Sequence, residues 1–110
     1  MTDRELLELA AKAAGYKLKW GEKLIVGDDE VDCTDMPYVV SGQPDEAYWY
    51  WDPLTDDGDA LRLAVKLGLL FKPEFAHFLS LERFAGQDRD DYSAYRRAIV
   101  RAAAAIGEAA

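Results

Sequence analysis

Cysteine and histidine are almost missing from this 110-residue chain: Cys33 and His77 are the single examples of each. An intrachain disulfide is therefore impossible, the core must hold the fold by itself, and a reducing cytoplasm is the expected compartment. The same scarcity excludes a zinc site built from His and Cys within one chain. No stretch of about 18 consecutive apolar residues occurs, so no membrane-spanning helix is expected. The opening MTDRELLELAAKAAG carries acids and has no long apolar run, unlike a secretory signal. Gly21, Gly27 and Gly42 are scattered rather than gathered into a phosphate cradle.

Cations are missing from one long segment. Between Lys23 and Arg62 lie 38 residues without Lys or Arg, and they hold eleven acids: Asp28, Asp29, Glu30, Asp32, Asp35, Asp45, Glu46, Asp52, Asp56, Asp57 and Asp59. That segment carries −11, and the rest, with ten acids and all thirteen cations, carries +3, for a net charge of −8. Such a balance argues against a nucleic-acid binder, because the phosphate backbone rewards clustered cations. It disfavours an anionic membrane surface for the same reason. Two explanations of the acids stay open. Acids gather in loops and at helix N-termini because they solvate well and complement the helix dipole, which accounts for Asp56, Asp57 and Asp59. Alternatively, interleaved with Tyr38, Tyr48, Trp49, Tyr50 and Trp51, they form a docking surface for a basic partner, the acids steering association and the aromatics supplying rigid contact area.

What is present describes one globular domain spanning 1–110: 12.3 kDa, 50% apolar and 31% charged residues, with an acidic, loop-rich segment at 27–47. Thr2 and Glu5 form a capping box ahead of Leu6, Leu9, Ala10 and Ala13 at helical spacing, and Gly15 stops that helix. Tyr16 to Trp20 alternates apolar and cationic residues as a strand. Gly21-Glu22 reads as a turn, with Lys23 to Val26 as the returning strand of a hairpin. Gly27 to Pro44 reads mainly as loop around a short apolar run, Met36 to Val40, with room for one short strand. In an extended Tyr48–Trp51, Tyr48 and Tyr50 face one way and Trp49 and Trp51 the other; core on both faces and an exposed gripping pair both remain open. Asp56 caps a second helix with buried face Ala60, Leu63, Ala64 and Leu67, closed by Gly68. Phe75 to Phe84 is ambiguous: neither strand face is cleanly apolar and a helix would place Phe75, Phe78, Leu79 and Glu82 together, but turn signals at Lys72-Pro73 and Ala85-Gly86 favour a strand. A last helix carries Tyr92, Tyr95, Ile99, Ala102 and Ile106. The fold class is α+β: a small, mostly antiparallel sheet of three to five short strands packed with three helices, at about 3–14, 57–67 and 91–107.

Recognisable chemistry is sparse. A calcium-hand loop with Gly58 at its glycine puts Pro53 and Thr55 at ligand positions and Ala64 where a bidentate Glu is needed. Weak divalent binding by Asp28, Asp29, Glu30 and Asp32 stays open. A glycosidase needs two carboxyls held across a cleft, and the chain is short for one. His77 has no Ser or Cys partner in a nucleophile motif, and Cys33 sits among acids that discourage its thiolate. A non-enzymatic protein with no cofactor and no metal site is expected.

The opening MTDRELLELAAKAAGY, the central pattern of Trp51, Pro53, Leu54, Asp56, Asp59 and Ala60, and the closing AIVRAAAAIGE resemble the phage ABA sandwich domain family. The resemblance covers both ends and the centre, with the acidic 27–47 stretch as a departure. It implies a sheet flanked by helices, a phage or prophage origin and no catalytic residues. The expected function is then inhibition or modulation of a host protein, such as an antiviral nucleic-acid-handling complex of the CRISPR type, in the host cytoplasm. Binding is assigned to Asp28, Asp29, Glu30, Asp32, Asp35, Asp45, Glu46, Tyr48 and Tyr50, which face a host protein with a basic surface rather than nucleic acid or membrane. The alternative is a binder of a small nucleotide signal, with Trp49, Trp51 or Tyr50 for stacking and Arg62, Arg96, Arg97 and Arg101 for charge.

Overall fold

In a computed structural model that describes residues 1–40, 48–85 and 90–110, the chain begins with helix α1 (Asp3–Ala14), capped as its sequence dictates. The Thr2 hydroxyl oxygen accepts from the Glu5 amide at 3.1 Å, and Gly15 takes the left-handed conformation (φ 76°) that ends the helix. Five short strands follow: β1 (Lys17–Trp20), β2 (Lys23–Val26), β3 (Asp29–Asp32), β4 (Pro37–Val40) and β5 (Tyr48–Tyr50). Helix α2 (Asp57–Leu67), a 3-10 turn (Leu69–Phe71), α3 (Pro73–Ala85) and α4 (Asp91–Ala109) complete an α+β fold.

The strands form two antiparallel sheets, one ordered β1-β4-β5 and one made of β2 and β3 alone. Pairing differs from the nearest-neighbour expectation. Chain direction does not reverse at Gly21-Glu22; β1 pairs with β4 (Leu18 opposite Val39), and β2 pairs with β3 (Leu24 opposite Val31). The reversal lies at Gly27-Asp28, where Gly27 alone has a positive φ of 66°, the pattern of a type II′ hairpin turn. Gly21 serves a different need. A Cβ there would lie 2.2 Å from the Cys33 carbonyl oxygen, so glycine lets the two strands of the ribbon approach at the hairpin's base. The loop-rich 27–47 segment thus contains β3 and β4 within its described part, and the acids of β3 form a strand because β2 supplies its ladder.

The second correction is α3. The expected strand at 75–84 is a helix, entered through Pro73, whose fixed φ and missing amide suit a first turn. Its buried side is Phe75, Phe78, Leu79 and Glu82. Glu82 spoils the apolar stripe in the sequence, and α4 accounts for it: the Glu82 carboxylate meets Arg101 at 2.8 Å and Arg97 at 3.6 Å. Among the described residues there are therefore four α-helices, not three.

Helix α4 is the centre of the helical layer, packing against α1, α2 and α3. Its Ala98, Ala102, Ala103 and Ala104 are buried, and small side chains bring the helix axes close. Gly107 makes the tightest approach: a Cβ there would lie 2.0 Å from the Leu9 carbonyl oxygen of α1. The three-stranded sheet offers Leu18, Trp20, Val39 and Trp51 to this layer and joins its core. Successive side chains alternate across a strand, so Lys17, Lys19, Tyr38, Val40, Tyr48 and Tyr50 share the opposite, outer face.

Candidate docking surface

The pattern Trp51, Pro53, Leu54, Asp56, Asp59 and Ala60 resolves into a lock at the start of α2. The Asp56 carboxylate accepts from the Asp59 amide at 2.7 Å, and Asp59 accepts from the Asp52 amide at 3.0 Å and from Arg62 at 2.8 Å. Asp52 in turn accepts from the Leu54 amide at 3.1 Å, and Asp57 holds Arg96 at 2.6 Å. Trp51, Pro53, Asp59 and Ala60 are buried. These four acids are consumed by the fold, and the motif positions a helix rather than a ligand.

The remaining described acids behave differently. Asp29, Glu30 and Asp32 lie on β3, Asp28 at the hairpin turn and Asp35 at its base, all exposed; Asp45 and Glu46 lie outside the described residues. Every residue of β2 and β3 is exposed, including Leu24, Val31 and Val26, with Ile25 at 82%. The two strands pack against each other and, among the described residues, against no other helix or strand. Register places Leu24, Val26, Val31 and Asp29 on one face of this hairpin and Lys23, Ile25, Glu30 and Asp32 on the other. An isolated two-stranded ribbon has little stability of its own, so its base is pinned. Gly21 donates to the Met36 carbonyl (2.9 Å), Cys33 to that of Glu22 (3.2 Å), and the Thr34 hydroxyl and amide to Asp32 (2.6 and 3.0 Å). Those Thr34 bonds, the hydroxyl first, hold the Asp32 carboxyl below the usual carboxylate range.

Between the hairpin base and the outer face of the sheet runs an open groove of about 620 Å³, lined by Leu24, Met36, Tyr38, Tyr48 and Tyr50 with Lys19 and Glu22 as its charges. Tyr48 and Tyr50 are 73% and 50% exposed, whereas Trp51 is buried at 3%. Tyr38 and Tyr48 meet edge to face at 5.9 Å. The Tyr50 hydroxyl donates to Asp52 at 3.3 Å; partial burial, and then the Asp52 carboxylate, push its phenol above the usual tyrosine range. The sign follows. Because the unfolded chain loses this proton first, the contribution to stability is complete below about pH 10 and is lost as pH rises through the folded value. In an ultraviolet titration, the component removed by Tyr50→Phe should ionise above pH 10 and move back towards it in Asp52→Asn. A component at or below the ordinary value in the parent protein would contradict the contact.

The residues expected to act together are thus divided. The described hairpin acids, Tyr48 and Tyr50 border one open surface, and Trp51 belongs to the core. Trp49 lies on the inner side of edge strand β5 and keeps 45% of its surface exposed. The arginines expected to serve an anionic ligand are engaged elsewhere: Arg62 by Asp59, Arg96 by Asp57, Arg97 by Asp3 and Glu82, Arg101 by Glu82. His77, expected on a half-buried strand, is exposed on α3 against the Phe78 ring. Among the described residues no three His, Cys, Asp or Glu side chains converge on a metal position, and no helix is long and apolar enough to cross a membrane. The aliphatic side of the hairpin escaped the sequence reading because Leu24, Ile25, Val26 and Val31 resemble core residues in one dimension. A signal existed: β3 opposite them is acidic on both faces. No family model, curated protein or solved structure matches this chain.

Proposed function

We propose that the chain is a non-enzymatic binding module that docks a basic protein partner through its acidic hairpin and the tyrosines beside it. One observation carries this: a hairpin that, among the described residues, packs on no other element yet exposes Leu24, Ile25, Val26 and Val31 among five acids. Exposed aliphatics in a patch mark an interaction surface, and the carboxylates around them set the sign of the partner and speed its encounter. Four acids of the same cation-free segment are used in the lock before α2; among the described residues the hairpin acids have no such duty, apart from Asp32 with Thr34 and Glu30 with Lys23 at 3.9 Å. In the setting that the resemblance to the phage ABA sandwich domain implies, the partner is a host nucleic-acid-handling protein. The module is then a phage or prophage inhibitor acting in the host cytoplasm. The groove has the volume of a small-ligand site, but the four arginines that would neutralise a nucleotide are paired with carboxylates, which favours the protein partner.

The test is capture from a bacterial lysate by the full chain at low and raised salt. It is compared with a variant carrying Asp28→Asn, Asp29→Asn, Glu30→Gln and Asp35→Asn, which leaves Asp32 to hold Thr34. A partner retained by the parent should bind at least tenfold more weakly to the variant, and its retention should fall as the Debye length shrinks below about 10 Å. Retention indifferent to both changes sinks the proposal.

A further inference from the structure

The hairpin and the outer face of the sheet carry opposite charge. Lys17 and Lys19 stand exposed on the face that holds Tyr38, Tyr48 and Tyr50, and neither lysine has an ion pair among the described residues. No acid belongs to that face of β1, β4 or β5. The hairpin beside it presents Asp28, Asp29, Glu30 and Asp32 together with an uncovered aliphatic face. The chain therefore exposes both halves of a complementary pair, joined through the hairpin base. A nucleic acid seated on the lysines would lie beside the acidic hairpin of a chain with net charge −8, which the phosphate backbone resists.

We propose that a second copy of this chain occupies the surface: the hairpin of each protomer lies on the lysine–tyrosine face of the other. Contacts of Lys17 and Lys19 with the opposing Asp29, the β3 acid that shares the Leu24 face, would then occur twice about a two-fold axis, the closed arrangement that a self-complementary patch favours. The exchange covers the exposed Leu24, Val26 and Val31 with tyrosine rings and fills the open groove of about 620 Å³. It goes beyond the docking proposal and stands without it: the same hairpin and tyrosines serve both, so a basic partner displaces the second copy when it binds. Two chains of like net charge repel at long range, so the dimer needs physiological salt, where the Debye length is about 8 Å. Salt strengthens the approach and weakens the contact, so charge reversal rather than ionic strength decides the matter.

Sedimentation equilibrium of the full chain at physiological salt should show a concentration-dependent dimer. Lys17→Glu with Lys19→Glu, and separately Asp29→Lys, should each raise the dimer dissociation constant at least tenfold, because attractive contacts become repulsive in both symmetric copies. All three positions are exposed, and unchanged circular dichroism checks the fold. Mixing the two variants should restore dimers, since each hairpin then meets a face of opposite sign. A parent that stays monomeric overturns the proposal. So do reversed variants that still dimerise, which would point to another surface such as Leu61, Leu70 and Phe71, and a mixture that fails to pair. The docking proposal fails separately: the Lys17→Glu, Lys19→Glu chain keeps every hairpin acid, so acid-dependent capture of a basic partner must survive in it whatever happens to the dimer.

Discussion

Trp51→Ala should cost the protein about 3–5 kcal/mol of stability, while Trp49→Ala, two residues earlier, should cost less than about 1 kcal/mol. The two indoles share a side of the chain and differ in what lies against them. Trp51 is 3% exposed, belongs to the main core cluster and meets Tyr16 edge-on at 5.7 Å with an interplanar angle of 80°. Its amide also donates to the Pro37 carbonyl at 3.1 Å, so the side chain leaves the sheet at a fixed position over the helices. Truncation to alanine leaves a cavity in the close-packed core, and the edge contact with Tyr16 goes with it. Trp49 is 45% exposed on edge strand β5, where solvent can replace most of what alanine removes. Denaturant unfolding with an unchanged m-value separates the two, and Trp51→Phe should recover part of the loss. Similar costs for Trp49 and Trp51 would mean that the aromatic run is not divided between core and surface.

Removing the Glu82 carboxylate should also be strongly destabilising, about 2–3 kcal/mol for Glu82→Ala. Breaking a fully buried pair costs about 3–5 kcal/mol because the orphaned charge stays in the interior. Solvent reaches Arg97 and Arg101, at 23% and 31% side-chain exposure, and takes back part of that penalty. The network is shared. Glu82 meets Arg101 at 2.8 Å and Arg97 at 3.6 Å, Arg97 also holds Asp3 at 2.8 Å, and the Arg101 guanidinium lies 4.7 Å from the Phe78 ring centre. It therefore ties α3, α4 and the start of α1 together. A double-mutant cycle of Glu82→Ala with Arg101→Ala should show coupling of about 1 kcal/mol or more. Additivity within about 0.5 kcal/mol would mean that the two side chains act independently.

Both predictions fall where the linear sequence was a poor guide. Helices α1 and α2 were legible because Thr2, Gly15, Asp56 and Gly68 act within one turn of their own helix. The α3 segment was not legible, since the partners that make Glu82 acceptable lie on α4, 15 and 19 residues further along. Strand pairing failed similarly: Gly21 carries a turn signal, and its small size serves close approach to Cys33 instead. In the candidate surface, the acids were visible as a cation-free run. Which of them the fold consumes was visible only for Asp56, Asp57 and Asp59, at a recognisable helix start.

Taken alone, the sequence determined the α+β class, the limits of α1 and α2, the absence of a disulfide within this chain and the charge partition of −11 against +3. All of these depend on composition or on residues within a few positions of one another. Tertiary structure alone decided that β2 and β3 stand apart from the core, that Tyr48 and Tyr50 face outward while Trp51 faces inward, and that the arginines are paired. The reason is physical. Alternation says that two sides of a strand differ, and charge counting says where acids lie along the chain. Only packing against distant segments says which side is buried and which carboxylates still face water.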